Sequence, residues 1–169
     1  ENVATDDGNF DWASMLTTTY TKQVSVIASE YELFYTVDAT TLHVGMVAKT
    51  TGWVGFGIAD PLGAAMPGAD MVIGWVHDST GTGRVGEYHA LGYAAPLLDA
   101  CQDWMLLASK QSDGYTAIEV TRALDTGDTQ DRAISASWET LPVMGAYSDL
   151  NSDVLTYHGT ANRAVLRLS

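Results

Sequence analysis

The amino-acid sequence predicts an all-β protein, an antiparallel β-sandwich of about 10–11 short strands. Three observations support this fold class. Apolar and polar residues alternate with a period of two along most of the chain, turn signals recur about every 10 residues, and no convincing helical stripe interrupts them. The length of 169 residues suits one domain and is too short for two.

Each predicted strand is a run of alternating or continuous apolar residues bounded by turn residues. Residues 1–20 are acidic and Thr-rich with little periodicity, so we expect an N-terminal arm or a first irregular strand there, and residues 21–169 are expected to form the sandwich. The predicted strands are residues 24–28, 33–37, 42–48, 53–58, 71–76, 85–91, 104–109, 115–121, 134–138, 143–147 and 164–168. One short helical turn is expected near residues 96–102.

Composition and charge limit the classes of partner. Hydrophobic residues make up 46% of the chain and charged residues 17%, which supports a packed core and argues against disorder. The 21 acidic residues outnumber the 8 basic ones and give a net charge of −13. This charge repels polyphosphate, so nucleic acid is not expected as a partner and anionic membrane surfaces are poor partners. No apolar run approaches the ~20 residues that span a bilayer, so the domain is not expected to cross a membrane itself.

The single cysteine, Cys101, excludes an internal disulfide and any Cys-based zinc or iron–sulfur site, since those need at least two thiolates. We expect Cys101 to be a buried small apolar residue, with a pairing partner outside this chain as the alternative. Because the chain begins with Glu1 rather than Met, we expect it to be a processed or excised piece of a larger protein.

The sequence carries no familiar enzyme signature. It has no nucleophile elbow, phosphate-binding loop or zinc-binding helix motif, and the glycines at 55 and 57 lie in a strand pattern that indicates close packing or twisting. Asp125, Asp128 and Asp131 recur every third residue, which is not the spacing of a calcium-binding EF-hand. A solvated turn is the preferred interpretation of these acids, with a calcium site as the alternative. The sequence also does not indicate which two acidic residues could form the catalytic pair of a hydrolase.

Two side chains stand out as metal ligands. Met66 lies in a loop of small residues, 63–69, which would display a long thioether. His158 stands beside Gly159, just before the last predicted strand. A methionine and a histidine presented from loops suit the axial positions of an electron-transfer haem, because the soft sulfur raises the potential.

Several motifs, taken together and in order, resemble the DOMON domain family. They lie at residues 53–57, at 66–75, at Asp99 with 102–104, at 122–128 with Asp131, and at 157–159. The resemblance covers roughly residues 20–169. It implies an immunoglobulin-like β-sandwich, usually extracellular. Such domains are found beside copper domains of the dopamine β-monooxygenase type and as the cytochrome domain of cellobiose dehydrogenase.

The resemblance also implies candidate site residues. Some DOMON domains bind haem b and others bind sugars. In the haem-binding members a methionine precedes an apolar strand that ends in an aromatic residue nine positions on, and a histidine precedes the last strand. Met66, Trp75 and His158 hold these positions. Tyr157 and Arg163 flank the histidine and are candidates to contact the haem propionates or orient the imidazole, against a packed tyrosine and a surface arginine as alternatives.

The expected function is therefore a non-enzymatic, haem b-binding module that transfers single electrons within a larger secreted or membrane-anchored redox protein. Its partner would be a redox protein or an adjacent redox domain, and its location extracellular or at the cell surface. The alternative is a non-haem DOMON domain that binds carbohydrate or scaffolds an adjacent redox or copper monooxygenase domain. In that case tryptophans would stack on sugar rings; the candidates are Trp12, Trp53, Trp104 and Trp138.

Overall fold

Two antiparallel sheets pack face to face in the computed structural model, which describes residues 10–61, 66–151 and 153–169. The all-β sandwich predicted from the sequence is confirmed. The strands in the described part of the chain are β1 (Lys22–Ile27), β2 (Tyr31–Val37), β3 (Thr41–Ala48), β4 (Val54–Ile58), β5 (Asp70–Val76), β6 (Gly83–His89), β7 (Leu97–Leu98), β8 (Met105–Ser112), β9 (Tyr115–Ala123), β10 (Leu141–Tyr147) and β11 (Arg163–Leu168).

Neighbouring strands in both sheets are antiparallel. One sheet has five strands in the order β1-β2-β3-β9-β8, and the other has six in the order β11-β10-β4-β5-β6-β7. The period-two alternation sends one set of side chains from each sheet into the shared core, where Leu33, Met46, Phe56, Ile118 and Val143 are at most 2% exposed. Tyr31 is also buried there, and its hydroxyl donates to the Gly55 carbonyl oxygen at 3.0 Å.

Two of the predicted elements are wrong. Residues 134–138 form no strand. Ile134 is buried in the core, and its backbone N–H donates to Leu124 O at 2.7 Å in a contact outside the ladders. The helical turn expected near residues 96–102 is replaced by β7, which pairs with the end of β6. Apolar content alone did not distinguish a loop residue that is buried in the core from a residue that pairs within a β-sheet.

The described part of the N-terminal segment covers the outer face of the five-stranded sheet. It contains a short 3-10 helix, Trp12–Met15, and Met15 packs against Phe34 and Val47. Phe10 stacks on Tyr115 with ring centroids 3.8 Å apart. Residues 1–9 of the predicted arm lie outside the described residues.

Cys101 is exposed, so the prediction that it is buried is wrong. A hydrogen bond to Asp128, followed by the charge of that carboxylate, raises the pKa of the Cys101 thiol to about 11. The thiol is therefore protonated at neutral pH. Among the described residues, no helix has the length and apolar character needed to cross a membrane.

Candidate functional site

The outer face of the six-stranded sheet has a floor of glycines. Val54, Phe56 and Ile58 of β4 face the core, so the alternate positions Gly55 and Gly57 face outward. A Cβ added at Gly57 would lie 2.8 Å from Met71 Cγ and 2.9 Å from Met144 Cγ. The side chains of Met71, Ile73 and Met144 lie over these two glycines. We call this apolar strip the outer trough; it consists of Gly55, Gly57, Met71, Ile73 and Met144.

Met66 lies at the Gly57 end of the outer trough. Its partly buried side chain packs in a cluster with Met71, Met144 and Tyr88. A turn holds it there, since Ala69 N donates to Met66 O at 3.0 Å and Gly68 N donates to Ala90 O at 2.7 Å. Gly68 has a φ of 73°, a left-handed conformation that glycine adopts without a steric cost.

His158 lies at the other end, near Trp53. The two ring centroids are 6.3 Å apart and the rings are nearly perpendicular, at 79°. The loop that carries His158 is tied to β4 by Trp53, whose indole N–H donates to Thr156 O at 3.0 Å. His158 Nδ1 hydrogen-bonds to the Gly159 carbonyl oxygen, which can only accept, so Nδ1 carries the proton. In the neutral imidazole, Nε2 then carries the lone pair and can ligate a metal.

The structure therefore brings Met66 and His158 to one face of one sheet. Trp53 directly precedes β4 and is four residues from Gly57, a separation of about 13 Å at the usual rise of an extended chain. The thioether and the imidazole thus lie at opposite ends of the outer trough, with its apolar side chains between them.

Tyr157 and Arg163 lie beside the same face. The Tyr157 ring is tilted by 36° against the His158 ring at 4.7 Å, and its side chain is exposed. Arg163 pairs with Ala146, which in turn pairs with Gly55, so all three point to the outer face. Both side chains are placed where they could reach the rim of a ligand in the outer trough.

Trp75 adds an observation that the sequence did not reveal. It lies on the outward-facing side of β5, since Val72 and Val76 face the core. Its indole N–H is buried and has no hydrogen-bond partner among the described residues. A buried donor without an acceptor is costly, so a ligand on this face that accepts a hydrogen bond from the Trp75 indole would be favoured. The outer trough could have been inferred from the sequence by one signal, the glycines at alternate positions 55 and 57 of a predicted strand.

The sandwich and its outward-facing trough define a known class of domain. The DOMON domain profile matches residues 27–145, and the chain belongs to that family. It is 30% identical over 135 residues to DBH-like monooxygenase protein 1 of Gallus gallus, covering 79% of this chain and 21% of the relative. The human protein of the same name is 33% identical over 118 residues, covering 70% of this chain and 18% of the relative. The chain thus spans about a fifth of the length of these relatives.

Two solved structures share the fold. The cytochrome domain of Myriococcum thermophilum cellobiose dehydrogenase superposes with a TM-score of 0.62 at 14% identity, covering 81% of this chain and 73% of that one. The cytochrome b domain of pyranose dehydrogenase from Coprinopsis cinerea superposes with a TM-score of 0.59 at 18% identity, covering 82% and 74%. At these identities the likeness shows a common fold.

Proposed function

We propose that this DOMON domain binds haem b and transfers single electrons as a module of a larger redox protein, with no catalytic site of its own. The observation that carries the proposal is that Met66 and His158 lie on one face of one sheet, at the two ends of a trough floored by Gly55 and Gly57. Two structural neighbours with the same fold are cytochrome domains, which supports the proposal.

The residues present fit a haem. Gly55 and Gly57 contribute no side chains of their own, and the side chains of Met71, Ile73 and Met144 over them present an apolar surface to a macrocycle. The donor set is one thioether and one imidazole with a free Nε2, the pair that suits low-spin electron-transfer iron. When bound, the haem would supply a one-electron redox couple. The unpartnered Trp75 N–H is a further sign that this face takes a ligand.

Each candidate site residue then has a specific role. Met66 and His158 would ligate the iron, and the Gly159 carbonyl would hold the imidazole in the tautomer that presents Nε2. Tyr157 and Arg163, exposed beside the trough, would hold the propionate carboxylates through a hydroxyl and a guanidinium group.

The wider setting of the domain is also a proposal. The curated relatives are about five times longer than the matched region, so a redox domain on the same chain or a separate redox protein would exchange electrons with this one. We place the parent protein outside the cell or at its surface, either secreted or as the ectodomain of a membrane protein.

The test is haem reconstitution followed by visible spectroscopy, in the oxidised and reduced states. We expect the wild type to take up one haem with a six-coordinate, low-spin spectrum. Met66→Ala and His158→Ala should each lose that spectrum and weaken haem binding by about tenfold or more. Met105→Ala and His43→Ala are matched controls, because they remove the same chemical groups from the other sheet.

Either ligand variant keeping an unchanged low-spin spectrum would overturn the ligand assignment. A wild type that takes up no haem, but binds an oligosaccharide in calorimetry, would favour the carbohydrate-binding alternative.

A further inference from the structure

A second group of side chains, away from the outer trough, has an unusual arrangement of charge. Asp70 at the start of β5, Glu87 on β6 and Asp131 in the loop after β9 point toward one another between the sheets. One carboxylate oxygen from each lies within 4.8 Å of the other two. Asp70 and Glu87 are each only 1% exposed.

Each of these carboxylates uses one oxygen for the protein. Asp70 Oδ2 accepts from Arg122 Nη1 and from the Arg132 backbone N–H. Glu87 Oε2 accepts from the backbone N–H groups of Asp103 and Trp104. Asp131 Oδ2 accepts from the Thr126 hydroxyl at 2.6 Å.

The second oxygen of each carboxylate has no hydrogen-bond partner among the described residues. Asp70 Oδ1, Glu87 Oε1 and Asp131 Oδ1 are buried and accept no hydrogen bond from any residue that the structure describes. Buried polar atoms are normally satisfied, and a buried carboxylate oxygen without a partner is among the most costly exceptions. Three such atoms on three neighbouring carboxylates indicate a missing positive group at their centre.

The charges at this position do not balance within the protein. Arg122 is the buried cation of the group, with a side chain that is 0% exposed. The other nearby guanidinium, that of Arg132, is directed to Asp60 at 2.7 Å and to Gly68 O at 2.8 Å. When all three carboxylates are ionised, one guanidinium leaves two negative charges uncompensated. Burial first, and then the charges of Asp131 and Asp70, raise the pKa of Glu87 to about 7, although hydrogen bonds from Asp103 N and Trp104 N oppose the rise.

We propose that Asp70, Glu87 and Asp131 bind one Ca²⁺ ion through their three unpartnered oxygens. An all-oxygen donor set selects a hard cation, and a divalent ion neutralises the two uncompensated charges. Oxygens as far as 4.8 Å apart can lie on opposite sides of one Ca²⁺, which holds them at about 2.4 Å, whereas Mg²⁺ requires about 2.1 Å.

The position of the ion gives it a structural role. It links β5 and β6 to the loop that follows β9, and Arg122 connects the same group to the five-stranded sheet. A second acidic group, Asp103 and Asp128 with Asp131, extends toward the surface from it. Asp125 belongs to neither group and instead accepts from the Gly127 N–H, as in a solvated turn.

Terbium luminescence of the whole chain, stripped of metal with a chelator, tests the site. Tb³⁺ has the ligand preferences of Ca²⁺. The indole of Trp104, whose own backbone N–H donates to Glu87 Oε2, can sensitise its emission. We expect saturable emission from one site, displaced by Ca²⁺ at lower concentration than by Mg²⁺. Glu87→Gln and Asp131→Asn should weaken binding about tenfold or more. Glu139→Gln is the matched control, since Glu139 is exposed and outside both acidic groups.

Thermal unfolding gives an independent measurement. Ca²⁺ at about 100 times its Kd should raise the melting temperature of the wild type by about 5–10 °C. Glu87→Gln should remain folded without Ca²⁺, because it removes a buried charge, and should lose the response. The proposal is overturned if Ca²⁺ leaves the wild-type melting temperature unchanged, if Tb³⁺ binding survives Glu87→Gln, or if the Glu139→Gln control weakens binding equally.

Discussion

Arg122 illustrates how a single buried side chain organises one edge of the sandwich. Its guanidinium donates to Asp70, to Ala123 O at 3.0 Å and to Arg132 O at 2.6 Å. It also lies 5.5 Å from the centre of the Trp104 ring. A planar group with donors on three sides can satisfy these acceptors at once, and lysine cannot. Its side-chain hydrogen bonds thus hold the loop at Arg132 against the sheet, although that loop forms no helix or strand.

Gly52 is a residue at which a close backbone approach requires glycine. A Cβ there would lie 2.5 Å from both Ser148 O and Leu150 O, and these backbone atoms cannot move cheaply. We predict that Gly52→Ala lowers the free energy of unfolding by about 1–3 kcal/mol, measured by urea denaturation. Gly92→Ala is the matched control, because nothing lies within 4 Å of its Cβ. Equal stability of the two variants would contradict the prediction.

At the scale of elements, β9 anchors the N-terminal segment through one carboxylate. Glu119 Oε2 accepts from Thr17 N at 2.8 Å and Thr17 Oγ1 at 2.7 Å, and Oε1 accepts from Thr18 N at 2.9 Å and Tyr20 OH at 3.0 Å. Burial raises the pKa of Glu119, but the hydrogen bonds from Thr17, Thr18 and Tyr20 outweigh it, so its pKa lies below 4.5. The segment is therefore held by a charged group that the fold keeps ionised.

This anchor predicts a pH-dependent loss of stability. Glu119→Gln replaces one accepting oxygen with a donor, and we expect it to lower the free energy of unfolding by about 1–3 kcal/mol at neutral pH. Because the folded-state pKa of Glu119 is depressed, its contribution is present above pH 4.5 and is lost as the pH falls through that lower pKa. Urea titrations at several pH values should show the difference between wild type and variant shrinking in acid. A difference independent of pH would contradict the role of the charge.

At the scale of the whole molecule, the net charge of −13 sets how the domain meets other proteins. The charge disfavours polyanionic partners and creates a long-range attraction for a cationic surface. Under the proposed function, the domain would dock to its redox partner by electrostatic steering as well as by shape.

The rate of electron exchange with a cationic redox protein should therefore fall with ionic strength. From about 10 mM to about 150 mM salt the screening length shortens from roughly 30 Å to roughly 8 Å, so we expect the second-order rate constant to drop by about tenfold or more. Stopped-flow spectroscopy of the haem-loaded domain measures it, and an anionic redox protein serves as the control, with the opposite trend. A rate that is insensitive to salt with the cationic partner would contradict electrostatic docking.

Most of the fold could be predicted from local pattern, since ten of the eleven strands predicted overlap a strand of the structure. Period-two alternation is visible in the sequence because each strand has one buried face. The exceptions were residues whose environment depends on distant parts of the chain. Ile134 is buried without a ladder, and Cys101 is exposed although its residue type is usually buried.

The sequence alone determined the fold class and the acidic character, because these follow from periodicity and composition, and its resemblance to DOMON domains made Met66 and His158 candidate ligands. Only the tertiary structure decided that these two residues share one face with a glycine-floored trough, and that Asp70, Glu87 and Asp131 converge. The physical reason is that register and sheet packing bring together residues far apart in the chain. Whether a carboxylate oxygen has a partner depends on atoms contributed by other strands and loops.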